Sequence, residues 1–214
     1  MKTVAFVPIK LNSERLPNKN ILLLGSKPLC YYIFETLLNV DTIDEVYVYC
    51  SDESITNYIP KGVKFLKRDA KLDGNLVKGI EIYESFLNDV TSDIYILAHA
   101  TAPFLKSESV RDALEKVQTG DYDSAFSAER IQTFAWYKKE PINYSLYDIP
   151  RTQDLEPIYV ETSGFFIFKD EIFRKDKRRI GYTPYIKEIN KIEATDIDMP
   201  EDFEFAKLII SKMI

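Results

Sequence analysis

Short apolar runs alternate along this chain with stretches whose apolar residues recur at helical spacing. That alternation limits the possible folds more than any single motif does. Val4–Ile9 is a near-continuous apolar run, as expected for a strand buried on both faces of a parallel sheet. Glu45–Cys50, Val63–Leu66, Ile94–Ala98, Ser124–Ser127 and Gly164–Phe168 read as further strands. Helical spacing covers Pro28–Leu38, Leu76–Leu87, Ser107–Gln118 with Ser107 as its expected N-cap, and the closing stretch Asp202–Ile210. Repeated strand–helix–strand order with short connections predicts an α/β chain, a three-layer α/β/α doubly wound and mostly parallel sheet. Ligands of such sheets bind beyond the carboxyl ends of the strands, at the switch point. Three segments are thereby selected: Lys10–Asn20, Ser51–Glu53 and His99–Leu105.

The formal net charge of -6 over 214 residues excludes a general nucleic-acid or membrane-surface binder. An anionic ligand must then be held by a local cluster of cations and backbone amides. Cys30 and Cys50 are the only cysteines and have no metal-type spacing, so free thiols and a soluble, cytoplasmic chain are expected. Its opening apolar run is too short for a signal-peptide core or a membrane span. Residues 1–214 suit one domain. The stretch 131–160, rich in Tyr and Pro and carrying Trp136, breaks the strand–helix rhythm and reads as an inserted arm. Its aromatic residues fit a homodimer contact, or else a flap closing on its own protomer.

The loop Lys10–Asn20 brings Lys10, Arg15 and Lys19 together with Asn12, Ser13 and Asn20. A loop leaving a parallel strand exposes backbone N–H groups that bind phosphate, and cations beside them offset the charge of a triphosphate. Neither Gly-x-x-x-x-Gly-Lys nor Gly-x-Gly-x-x-Gly is present, so neither a P-loop nor a dinucleotide fingerprint is supported. By composition alone the loop is equally a solvated basic surface.

The order Asn12-Ser13-x-x-Leu16-Pro17-x-Lys19-Asn20 resembles the signature loop of the cytidylyltransferases that make CMP-activated acidic sugars, the acylneuraminate and 3-deoxy-octulosonate enzymes. The resemblance implies a Rossmann-like fold of the nucleotide-diphospho-sugar transferase type. It further implies CTP and a small acidic sugar as substrates, and Mg²⁺ as cofactor. Lys10 stands where that family usually has Arg, which keeps the charge and loses the flat fork. By this resemblance Lys10 and Lys19 bind the triphosphate and act in catalysis, with Asn12, Ser13, Arg15 and Asn20 around the nucleotide.

The same resemblance marks positions further along the chain. Asp52 ends the second strand and either orients nucleotide or caps the next helix; Arg68 falls near the base or triphosphate. His99-Ala-Thr101-Ala-Pro103 is closer to the sialate branch than to the octulosonate branch. His99 is then a substrate contact or a structural hydrogen-bonder, and Thr101 lies beside it. Arg151, Gln153 and Glu161 fall in the segments expected to meet the sugar, with Arg151 on its carboxylate, while Val160 replaces a second Arg of the pattern. Asp196 and Asp198 sit at i and i+2, on one face of an extended segment and about 7 Å apart, which suits one Mg²⁺. With Asp198 counted as catalytic, the reading is attack of a sugar hydroxyl on the α-phosphate of CTP with release of pyrophosphate. The rivals are a nucleotidyltransferase for a phosphate or phosphonate acceptor, a nucleotide-sugar glycosyltransferase, and a non-catalytic sugar-nucleotide sensor.

Overall fold

The computed structural model describes residues 1–213. Seven strands form one sheet: β1 (Thr3–Ile9), β2 (Glu45–Cys50), β3 (Val63–Lys67), β4 (Ile94–Ala98), β5 (Ser124–Ile131), β6 (Ile158–Lys169) and β7 (Pro184–Ile189). Their spatial order is β7-β5-β6-β4-β1-β2-β3. All neighbours pair in parallel except β6, which runs antiparallel to both β4 and β5. The chain winds from β1 outward through β2 to β3 and then returns to place β4 on the other side of β1. The switch point therefore lies between the carboxyl ends of β1 and β4.

Strand β1 shows why the domain is three layers thick. Alternate side chains point to opposite faces of a strand. Ala5, Val7 and Ile9 join a core with Ile33, Phe34 and Leu37 of α1 (Leu29–Leu38) and Val110, Leu114 and Val117 of α3 (Ser107–Gln118). Val4 and Phe6 face the other way, onto Tyr83, Phe86 and Leu87 of α2 (Gly79–Asp89) and the core that includes Phe173 of α4 (Asp170–Asp176). Phe6 and Phe86 stack at 4.2 Å between ring centroids. A third cluster docks α5 (Pro200–Met213) through Phe203 and Ala206 onto Leu24, Leu29, Phe104 and Ile197.

Several boundaries differ from the sequence expectation. The second helix starts at Gly79, not Leu76: the Lys78 N–H donates to Glu81 Oε1 at 2.8 Å, which caps the helix there, and Leu76 stays 96% exposed. Ser107 is the first residue of α3 and not its cap. The buried carboxylate of Glu193 instead accepts from the Lys106 N–H at 3.2 Å and from Ser109 Oγ at 2.7 Å. The late strand β6 has twelve residues, because its first half pairs with an equally extended β5 beyond the core. Helix α4 and strand β7 had no clear period in the sequence. Between β5 and β6 the arm carries a two-residue ladder joining Trp136–Tyr137 to Glu140–Pro141. No described helix is long and apolar enough to cross a membrane.

Candidate active site

The loop after β1 folds back on itself before it meets anything else. Asn20 Nδ2 donates to the Lys10 carbonyl at 2.9 Å, closing the loop at its two ends. Leu16 packs into the α5 cluster from the loop's middle. Among the described residues, nothing accepts a hydrogen bond from the backbone N–H of Asn12, Glu14 or Arg15, which leaves amide donors in the loop for an anion. With Asn75 and Asp198, Lys10, residues 12–16 and Lys19 line a polar cleft of about 180 Å³.

Asp198 reaches this cleft because Ile197 is driven into the core. Ile197 is fully buried, its N–H donates to the Thr101 carbonyl at 2.9 Å, and its carbonyl accepts from Lys19 Nζ at 2.7 Å. Of the flanking carboxylates, Asp198 lines the cleft and Asp196 is turned onto Ser163. Asp198 pairs with Lys19 at 3.0 Å through Oδ1 and with Arg15 at 3.1 Å through Oδ2. Partial burial pushes its carboxyl up, but Lys19 and Arg15 outweigh that and hold it below the usual carboxylate range. Lys19 is itself 8% exposed. It ties the basic loop to the acidic segment and leaves one N–H for a ligand.

Asp196 is held differently. Its Oδ2 accepts from Ser163 Oγ at 2.7 Å, whereas Oδ1 is buried with no partner among the described residues. A buried, orphaned carboxylate oxygen is costly and is what a bound cation would satisfy. Among the described residues no three His, Cys, Asp or Glu side chains converge as a complete metal cage. Two carboxylates fit Mg²⁺, which keeps several waters and takes phosphate oxygens as its other ligands.

Ser163 is available because β6 is irregular there. The register against β5 shifts between Glu161 and Phe166, and Ser127 Oγ bonds both Thr162 Oγ1 at 2.7 Å and the Phe165 N–H at 3.0 Å. A Cβ on Gly164 would lie 2.6 Å from that Ser127 oxygen, so this bend admits only glycine. The shifted Ser163 carbonyl also accepts from His99 Nδ1 at 2.8 Å. A carbonyl only accepts, so Nδ1 carries the proton and Nε2 is left as the acceptor of the neutral ring. Burial pushes the imidazole below its ordinary pKa of 6.5, against the Ser163 bond, and the charge of Arg179 adds to the lowering.

Beyond the loop the cleft opens into a hollow of about 400 Å³ that includes Arg68, Asp73, Asn75, Tyr83 and His99. Lys10 Nζ donates to Asn75 Oδ1 at 2.8 Å, and Asn75 in turn bonds Glu14. Arg68 is 2% exposed. Its guanidinium bonds the carbonyls of Ile9 at 2.9 Å and Tyr49 at 3.4 Å and pairs with Asp73 at 2.5 Å. It fastens the carboxyl ends of β1 and β2 and meets the hollow only at its edge. Asp52 caps the 3-10 turn Glu53–Tyr58 by accepting from the Ser54 N–H at 2.9 Å, and it lies outside both cavities.

The segments expected to meet the sugar separate into two places. Glu161 stands at the far end of the groove, paired with Arg179 at 3.2 Å. Arg151 lies on the arm, in a two-point pair with Asp154 at 2.8 and 3.0 Å, and Gln153 shares a shallow recess with Gln132 and Thr152. Neither lines the groove of its own protomer. Sequence reasoning missed Asn75, Tyr83, Ser163 and Arg179. Of these only Arg179 left a trace, at the end of the basic run Lys177-Arg178-Arg179.

Comparison with known proteins bears on the family and the fold. The family model described as Cytidylyltransferase matches residues 4–213. An N-acylneuraminate cytidylyltransferase of Streptococcus agalactiae serotype V is 23% identical over 95% of this chain and 52% of the relative. The chain thus spans about half the length of that relative. A pseudaminic acid cytidylyltransferase of Campylobacter jejuni is 26% identical, covering 98% of this chain and 96% of the relative. The structure of a CMP:2-keto-3-deoxy-manno-octonic acid synthetase complexed with CTP superposes with a TM-score of 0.75 over the whole of both chains at 17% identity, which shows the shared fold. The chain belongs to the cytidylyltransferase family.

Proposed function

We propose that this cytidylyltransferase-family chain transfers CMP from CTP to a small acidic sugar of the nonulosonate kind and releases pyrophosphate. One observation carries the reading: the loop cations Lys10, Arg15 and Lys19 share a cleft with Asp198, beside an Asp196 oxygen that lacks a partner. The relatives named above act, by their names, on acidic sugars of this class, which supports the acceptor assignment.

The loop amides and Lys10 hold the β- and γ-phosphates, and Arg15 swings from Asp198 to the phosphates as nucleotide enters. Asp196 and Asp198 hold Mg²⁺, which when bound supplies Lewis-acid polarisation of the α-phosphate and orients the attacking hydroxyl. Lys19 keeps Asp198 ionised and positioned. Neutral His99 presents Nε2 as an acceptor to an acceptor-sugar hydroxyl. A hydroxyl oxygen of the sugar, its proton lost to solvent water, forms a bond to the α-phosphorus as the bond to the bridging oxygen breaks, and the pyrophosphate leaves onto the loop. Catalysis then rests on positioning and charge stabilisation, with no covalent enzyme intermediate. The arm joins two protomers, and Arg151 and Gln153 reach an acceptor only in such a pair.

Pyrophosphate release from each of the four nucleoside triphosphates, with N-acetylneuraminate, pseudaminate, a sugar phosphate or a phosphonate, tests the proposal. Release with CTP and a nonulosonate is expected. Release only with a phosphoacceptor reassigns the acceptor, and ligand-induced thermal stabilisation without release leaves a sensor.

A further inference from the structure

Past Tyr83 and Gly79 the groove continues into a third hollow of about 460 Å³, whose lining includes Glu161, Lys177, Arg178 and Arg179. Gly79 is the shared wall. A Cβ there would lie 2.7 Å from the Tyr83 hydroxyl, so a larger residue would displace that phenol. Three cations against one carboxylate make this the most positive wall of the groove.

The cations are not equivalent. Lys177 is bound to Glu84. Arg178 donates to the carbonyls of Ile180 at 2.7 Å and Gly181 at 2.8 Å, and so closes its own turn. Arg179 lies over the Phe166 ring, its guanidinium carbon 3.7 Å from the centroid. Glu161 at 3.2 Å and the Tyr83 hydroxyl at 3.4 Å hold its edge. These contacts use two of five N–H donors and leave the rest of a rigid fork for a ligand. Phe166 also meets the His99 ring edge-on at 6.3 Å, so Arg179 sits across that ring pair from the acidic segment, at the acceptor's side of the groove.

We infer that Arg179 receives the anionic group of the acceptor, the task that sequence resemblance had assigned to Arg151. This rests on the transfer reaction proposed above. A guanidinium stacked on an aromatic face is already ordered and binds a planar carboxylate with little further loss of freedom. Arg151, satisfied by Asp154 on the arm, offers no such fork to the groove of its own protomer. Tyr83 marks the boundary between the nucleotide part and the acceptor part, and Glu161 holds Arg179 in register.

The test compares the wild type, Arg179→Gln and Arg179→Lys with CTP and three acceptors: N-acetylneuraminate, its methyl ester and a sugar phosphate. In the wild type the free acid should outperform the ester. Arg179→Gln should raise KM for the acid about 10- to 100-fold, the range of a charge-assisted hydrogen bond, and abolish the preference over the ester. KM for CTP should be unchanged, and Arg179→Lys should recover part of the loss. An unchanged acid-to-ester ratio in Arg179→Gln overturns the inference. Arg179-dependent turnover of the sugar phosphate alone keeps the anion site and overturns the sugar-acid reading. Should the wild type turn over no acceptor, binding of N-acetylneuraminate by calorimetry decides. Binding that weakens in Arg179→Gln sustains the site, and equal binding removes it.

Discussion

The loop Lys10–Asn20 and the arm between β5 and β6 both leave the sheet, yet they are held in opposite ways. Within the loop, Asn20 returns to the Lys10 carbonyl and Lys19 reaches Ile197 and Asp198, 178 and 179 positions away. In the arm, Phe134 and Trp136 meet Tyr144 at 4.8 and 6.3 Å, while Trp136 is 54% and Tyr147 102% exposed. The loop's polar groups are completed by the rest of the protomer. The arm's apolar groups are not. Exposed aromatic surface on this scale suits a second copy of the chain, and we propose that the arm is the part that two protomers share.

The sharpest way to break the comparison is at Asp198. Asp198→Asn should lower turnover about 10³-fold or more, since each tenfold is only about 1.36 kcal/mol of transition-state energy, while circular dichroism and Tm stay near the wild type. Near-normal turnover would sink the assignment of Asp198 as a metal ligand. Lys19→Ala should act on both counts. It removes a nearly buried cation that holds Ile197 and Asp198, at a cost of about 1–3 kcal/mol by denaturant unfolding, together with a fall in turnover. Stability equal to the wild type would show that the loop is not tied to the acidic segment through Lys19.

At the arm the expectation reverses. Tyr147→Ser or Trp136→Ser should leave the secondary structure unchanged and shift the protein towards monomer in sedimentation; an unchanged dimer would remove the arm from the interface. The smallest effect lies far from both regions, at Glu45. There the hydrogen bonds and charges of Lys64 and Lys2 lower the carboxyl from 4.5 to about 2. Because the folded pKa lies below the unfolded one, this contribution is present above about pH 4.5 and lost as pH falls towards 2. As the pair is at the surface, Glu45→Gln should cost under about 1 kcal/mol at pH 7 and nothing near pH 2. A cost independent of pH would contradict the ion pairing.

The sheet was legible because burial on two faces leaves an apolar run that periodicity detects, and β1, β2 and β4 carry such runs. Helix α4 and strand β7 were not, because they are short and their apolar positions are set by neighbours distant in sequence. The clusters proposed to hold nucleotide were legible because they fall within one loop and one acidic triplet. Ser163 and Tyr83 could not be read off in this way. A serine on an ordinary strand carries no mark until the shift in β6 brings its hydroxyl to Asp196 and its carbonyl to His99.

By itself the sequence determined the doubly wound sheet, the cationic loop and the pair of carboxylates, since these follow from local periodicity and order along the chain; the order of the strands decided which of their ends flank the switch point. Only the tertiary structure decided that Lys19 serves Asp198, that Arg68 fastens strand ends, that Arg151 stays on the arm and that Arg179 lies over Phe166. The physical reason is that a charged side chain takes its partner from whatever the fold brings within about 4 Å: Lys19 finds Asp198, 179 positions away, whereas Arg68 and Arg151 find Asp73 and Asp154, 5 and 3 positions away.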